Sequence, residues 1–239
     1  MGQSGQGLLP LPVGVASSEA KNLDDLKAQV AAHKCGAIMR EVGQGEGGVR
    51  RSGQECASCL QEVCRKHDRL LVADEVQLGN GRSGSLDGYM NYGLQPDVVS
   101  TAKGIGGGLP LGVTMFGERV ADVFHPGDHG TTFGGNPVCC AGAINVLSRL
   151  DEKMLEGVEE RSAYIKQELA GAKGVLGGSG LGLMIGIQTE KNASDIIAAC
   201  REKGVLVIKA KDKLRLLPAL NIPMEQLKKA VAVIKACCA

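Results

Sequence analysis

Two short apolar runs, each ending abruptly in polar residues and a glycine-rich loop, constrain this chain more than any other feature. LLVAD, residues 70–74, runs into EVQLGNGRSG, and DVVST, residues 97–101, runs into AKGIGGG. Short aliphatic, β-branched stretches bounded by turn residues read as buried strands. In an open sheet of parallel strands, ligands bind beyond the carboxyl ends of the strands. Asp74 and Lys103 stand at two such ends, 29 residues apart. The pattern therefore predicts an α/β fold with an acid and an amine at neighbouring strand ends.

The remaining elements follow from periodicity and punctuation. LDDLKAQVAAHK predicts a helix with Asn22 as its N-cap, GAIMREV a short strand, and residues 54–66 an amphipathic helix. LGVTMF predicts a further strand. Asn136-Pro137 opens a helix over VCCAGAINVLSRL, with a capping side chain and then proline at the first helical position. After it come a charged helix, MLEGVEERSAYIKQEL, and one glycine-broken strand, GLGLMIGIQTE. SDIIAACREKG predicts a helix, VLVIK and KLRLLP strands, and MEQLKKAVAVIKAC a last helix. The first twenty or so residues carry no regular pattern. Strands alternating with helices before residue 137, and an α+β arrangement after it, divide the chain into 1–136 and 137–239.

Composition excludes several classes of function. A net charge of +1 gives no electrostatic basis for binding nucleic acid or an anionic membrane, and 3% aromatic content leaves few stacking platforms. No run of about 18 apolar residues predicts a membrane-spanning helix. MGQSGQGLLPLPVGV lacks the basic and apolar regions of a signal peptide. Nine cysteines, an odd number without a secretion signal, point to reduced thiols and a cytoplasmic location. Cys56 and Cys59 form a lone CxxC within a helical pattern, with no second pair to complete a zinc site. Pro126-Gly127 separates His125 from His129 and prevents a shared helical face, so no metal site is expected. GQGEGG and GNGRSG both match GxGxxG, which raises a Rossmann-type nicotinamide dehydrogenase as an alternative. Neither leads directly from strand to helix, as a dinucleotide site requires.

An acid and an amine at adjacent strand ends suit one cofactor chemistry. A lysine can hold pyridoxal 5'-phosphate as a Schiff base, while an aspartate keeps the pyridine nitrogen protonated. Residues 104–108, GIGGG, let backbone approach a ligand closely. Taken alone, Asp74 could equally be a turn or capping residue, Lys103 a solvated side chain, and Arg215 a surface arginine.

Five motifs in order, QGEGGV, LLVADEVQLGNGRSG, TAKGIGGGLPLG, HGTTFGGNP and KLRLLPALNI, resemble the class III pyridoxal-phosphate-dependent aminotransferases. KAKDKLRLLPALNI is most similar to the acetylornithine branch. The resemblance implies the aspartate-aminotransferase-like fold type I, with a partial large domain and a small C-terminal domain. It implies transamination of N-acetylornithine, or a related ω-amino acid, with 2-oxoglutarate, as in arginine biosynthesis. Lys103 matches the Schiff-base lysine and proton carrier, Asp74 the partner of the pyridine nitrogen, and Gln77 the residue bonded to the ring oxygen. Thr132 matches a threonine reaching the cofactor phosphate of the other subunit, which implies a homodimer. Arg215 matches the arginine that grips the substrate α-carboxylate, a task suited to two parallel donors. Glu46 matches the glutamate that pairs with that arginine during substrate exchange. Val76 and residues 79–84 are expected to frame the cofactor.

The resemblance covers roughly the last three fifths of such an enzyme. The expected phosphate cup, ring-stacking aromatic and distal-end basic residue belong to the part not matched. A separate N-terminal half is one way to supply them; a non-catalytic fragment or assembly module is the alternative. REVGQGEGG also departs from the family, which usually has proline after the glutamate.

Overall fold

The computed structural model describes residues 15–17, 22–33 and 35–239. Most of the irregular stretch expected at the start lies outside them. The described residues form two compact units. The first runs to Val42 and adds Ser52–Asn80 and Asp87–Arg149; the second holds Gly43–Arg51, Gly81–Leu86 and Leu150–Ala239.

In the first unit, β1 (Ala37–Arg40), β4 (Leu70–Asp74), β5 (Val98–Thr101) and β6 (Val113–Phe116) form one sheet in that order. The first three are parallel, and β6 returns antiparallel to β5. Two helices belong with this sheet: α1 (Leu23–Ala32) and α2 (Gln54–Lys66). Asn22 caps α1 by accepting from the Asp25 amide at 2.9 Å. Helix α2 buries Cys56, Ala57, Leu60, Val63 and Cys64, which share one face at helical spacing. Leu60 and Leu71 are almost fully buried, each contributing roughly 1.5–3 kcal/mol relative to exposure. Helix α3 (Pro137–Leu147) is capped by Asn136, whose carboxamide oxygen accepts from the amides of Val138 and Cys139. It packs on the 3₁₀ turn Lys103–Gly106 through Gly142, where an added Cβ would come 2.9 Å from Leu109.

The second unit is built on the antiparallel sheet β7-β8-β10-β9. Its strands are β7 (Val175–Leu181), β8 (Met184–Thr189), β9 (Ile208–Ala210) and β10 (Lys213–Leu216), joined by α4 (Glu152–Leu169), α5 (Ala193–Glu202) and α6 (Met224–Cys238). Ile165, Leu183, Ile185, Ile187, Ile196 and Leu214 are at most 2% exposed and anchor one continuous core. Strands β2 (Gly43–Gln44) and β3 (Arg50–Arg51) form a small antiparallel hairpin in this unit.

One local expectation is corrected: GLGLMIGIQTE is not one strand, because Gly182, at φ 52°, turns the chain between β7 and β8. GQGEGG forms β2 and the turn of the β2–β3 hairpin and, as its sequence context implied, does not open a helix.

Candidate functional site

Strand pairing sets the acid and the amine. Asp74 ends β4 in register with Ser100 of β5, and the Glu75 amide continues the pairing by donating to the Ser100 carbonyl at 2.8 Å. Lys103 lies three residues beyond Ser100. Asp74 is half-buried, and its Oδ1 accepts from the Val76 amide at 3.0 Å. Gln77 is half-buried in the turn after Asp74, whereas Lys103 is exposed at the start of a glycine-rich turn. Its φ of 51° is left-handed, which costs an L-residue with a Cβ about 1–2 kcal/mol. Thr132 lies in an exposed loop, as do His125 and His129.

Behind this edge sits a buried acid that carries no sequence signal of its own. Glu75 is 0% exposed, and its two carboxylate oxygens accept from the amides of Gly88 and Tyr89, each at 2.8 Å. Burial pushes its carboxyl up to about 7; Asp87 and Asp74 push in the same direction, while the two amides oppose it. Asp87 is also raised by burial.

The glycines of GNGRSG serve packing. A Cβ at Gly79 would crowd Glu75 and Asp87, one at Gly81 would meet Leu150 and Leu220, and one at Gly84 would meet Glu159. Protein atoms therefore lie close against each of these glycines. Arg82, in the second unit, donates from Nη1 to the carbonyls of Pro218 and Leu183, while its own carbonyl accepts from the Leu183 amide. It thereby ties residues 81–86 to the β7–β8 turn and to the exit of β10. Burial, and to a lesser extent the charge of Arg215, lower its guanidinium from the usual range.

Arg215 is 5% exposed in β10, between β8 and β9. Its Nη1 meets Glu46 Oε1 at 2.6 Å, and the Glu46 side chain is 62% exposed. Glu46 comes from the β2–β3 turn, which Val49 seats on the sheet. Val49 is fully buried at φ 52°, and a Cβ on Gly186 would come 2.8 Å from Val49 Cβ. Gly186 pairs in register with Arg215. Glycine at that position lets the turn sit close enough for Glu46 to reach the arginine.

Asp74 and Lys103 therefore lie at the carboxyl ends of adjoining strands, with Gln77 in the turn after Asp74, and Glu46 and Arg215 are in contact within the second unit. The structure leaves Thr132 in an exposed loop. Glu75, Asn80, Arg82 and Gly186 were not singled out from sequence. The isolated glycine inside a strand pattern was the one available signal, for Gly186.

The donor set of the first unit fits pyridoxal phosphate: a carboxylate suited to a ring nitrogen, an exposed amine, and a glycine-rich turn after the amine. Among the described residues no cluster of His, Cys, Asp or Glu could hold a metal ion. All nine cysteines are free thiols, and no helix of the described residues is long and apolar enough to cross a membrane.

The family model described as aminotransferase class-III matches residues 10–238. Acetylornithine aminotransferase of Haemophilus ducreyi is 41% identical over 96% of this chain and 59% of its own length. That of Aquifex aeolicus is 39% identical over 96% of this chain and 61% of its own. Among solved structures, N-acetylornithine aminotransferase from Stenotrophomonas maltophilia superposes with a TM-score of 0.84 at 31% identity, covering 92% of this chain and 60% of that one. An ornithine aminotransferase from Toxoplasma gondii, with PLP partially occupying its active site, gives 0.84 at 29% identity over 91% and 54% of the two chains. The chain spans about three fifths of the length of the curated relatives it matches.

Proposed function

The chain belongs to the class III aminotransferases, pyridoxal-phosphate-dependent enzymes of fold type I, and from that premise we propose that it carries the covalent and carboxylate-binding groups of an acetylornithine-type transaminase. The reaction is transfer of an amino group from N-acetylornithine, or a related ω-amino acid, to 2-oxoglutarate, in a cytoplasmic route to arginine. One observation carries the reading. The register that pairs Asp74 with Ser100 sets a carboxylate and, three residues on, an exposed lysine at adjoining strand ends.

When bound, the cofactor supplies an electron-withdrawing protonated ring that stabilises charge left at the substrate α-carbon. Asp74 would hold the ring-nitrogen proton through its carboxylate, and Gln77 would donate to the ring oxygen. Lys103 would anchor the cofactor covalently and carry a proton to and from the α-carbon. Arg215 binds the substrate α-carboxylate with two parallel donors; Glu46, more exposed than the arginine it bonds, is the group that yields its place to that carboxylate. Thr132, in an exposed loop, would reach the phosphate held by the other subunit of a homodimer. The cofactor domain expected over residues 1–136 and the small domain expected over 137–239 exchange segments in the fold, since Gly43–Arg51 and Gly81–Leu86 belong to the second unit and residues 137–149 to the first; a separate N-terminal half is the partner that would complete the phosphate cup.

The test is an absorbance titration of the 239-residue chain with pyridoxal phosphate, then borohydride trapping and peptide mapping. A visible band with the label on Lys103, lost in Lys103→Ala, supports the reading. Transamination assays with acetylornithine and 2-oxoglutarate follow. Label scattered over surface lysines overturns it for this chain and favours the non-catalytic module.

A further inference from the structure

Lys103 occupies a left-handed conformation that a lysine does not prefer, and something must hold it there. Gly104 and Gly106 restrict nothing and Ala102 carries only a methyl group, while buried Ile105 and helix α3 pack the turn beyond the lysine. The Ala102 carbonyl takes the Ile105 amide at 3.3 Å, a long bond. One side chain supplies what the turn lacks. Asn80, 8% exposed, donates from Nδ2 to Thr101 Oγ1 at 2.8 Å and to the Ala102 carbonyl at 3.2 Å. Both hydrogens of one amide nitrogen are thus spent on the two residues immediately before Lys103. The carbonyl can only accept, so the orientation of the carboxamide is determined.

The identity of the residue fits this task closely. Asn80 is itself left-handed, at φ 57°, a conformation asparagine tolerates better than most side chains. Aspartate tolerates it too, but would turn an acceptor toward the Ala102 carbonyl. Glycine would adopt the turn and supply no donor. A Cβ on Gly104 would sit 3.5 Å from Asn80 Cβ, so the side chain also lies directly under the turn that carries the lysine.

We propose that Asn80 is the positioning residue for Lys103: by holding Thr101 and the Ala102 carbonyl, it fixes the left-handed backbone of Lys103 and so the place from which the amine reacts. The geometry stands without the cofactor; the consequence for covalent capture rests on the function proposed above.

Two readouts on the full chain separate these. The first is amide exchange at Ile105 and Gly107, whose bonds close the lysine turn, with Leu71 as a reference in the same sheet. The second is borohydride-trapped pyridoxal-phosphate label on Lys103, relative to label on surface lysines. The decisive variant is Asn80→Gly, which keeps the turn and removes both side-chain bonds; Asn80→Asp and Thr101→Val grade the loss. Expected in Asn80→Gly is a rise of about tenfold or more in exchange at Ile105 and Gly107, with Leu71 unchanged. Label on Lys103 falls by a comparable factor. Thr101→Val, which removes one acceptor, gives an intermediate change. If wild type shows no selective label but Asn80→Gly still loosens Ile105 and Gly107, the positioning role stands and the function proposed for Lys103 fails. If Asn80→Gly leaves exchange at the wild-type level, the positioning role is overturned, whatever the labelling shows.

Discussion

Lys103 and Arg215 are both cations that the family motifs single out, and they live in opposite surroundings. Lys103 is exposed, in the first unit, on a turn that buries Ile105, packs against α3 and is hydrogen-bonded by one asparagine. Arg215 is 5% exposed, in the second unit, inside a four-stranded sheet, with a carboxylate 2.6 Å away. The contrast is what the function proposed above would require. A lysine that forms a covalent bond must be reachable and able to lose its proton, which a tight ion pair would oppose. A guanidinium that recognises a carboxylate gains from burial, because the lower local dielectric strengthens charged hydrogen bonds. A buried guanidinium also needs an anion beside it, since an uncompensated buried charge is costly, and Glu46 supplies one from an exposed turn.

Four experiments break or sharpen the comparison. The largest effect is expected at Lys103. Lys103→Ala should abolish selective pyridoxal-phosphate label while shifting stability by less than about 0.5 kcal/mol, as for an exposed side chain. A large drop in melting temperature would mean that the lysine is structural.

Glu75 tests how firmly the acid end of the first unit is built. Its carboxyl is raised from 4.5 to about 7 in the fold, so the folded state holds a proton that the unfolded chain releases. That contribution is fully present below the unfolded value and is lost as pH rises through about 7. Stability of the first unit should therefore decline between about pH 4.5 and 7 by roughly 3 kcal/mol and level off above that. Urea melts across this range measure the slope, and Glu75→Gln should flatten it; an unchanged slope in that variant would assign the titration elsewhere.

Gly186→Ala tests the seat of the Glu46 turn. The new methyl group meets Val49 and Ser179, which should cost about 1–3 kcal/mol as an overpacked site. A structure of the variant should show Glu46 drawn away from Arg215. An undisturbed ion pair would show that Val49 does not set that distance.

The smallest effect is expected for Glu46→Gln, about 1 kcal/mol, because one end of the pair is solvated. The loss should shrink as salt rises, which denaturation at two ionic strengths would reveal; a salt-independent loss would mean that packing, and not charge, holds the turn.

Legibility differed by element. Strand β4 and helix α2 coincide with the stretches read from sequence, because a buried strand and an amphipathic helix write their periods directly into the chain. The Asn22 and Asn136 caps were legible for the same local reason. Gly182 was misread as a break within one strand, since a glycine in an apolar run marks a bulge or a turn equally well. Asn80 and Arg82 were read as parts of a cofactor-framing loop. Their partners, Thr101 and Ala102 for one and Leu183 and Pro218 for the other, lie 21 to 136 positions away, beyond the reach of local pattern.

The sequence by itself determined the class of elements, the family, and the residue types that its chemistry requires, because periodicity, caps and ordered motifs are local properties. Tertiary structure alone decided which side chains are buried, and that decides what they can do. It made Arg215 a desolvated cation with a carboxylate on it, and Glu75 an acid poised near neutrality. It also made Asn80 the prop beneath a lysine that stays exposed. Desolvation and hydrogen bonding across long sequence separations set those properties, and they exist only once the strands have paired.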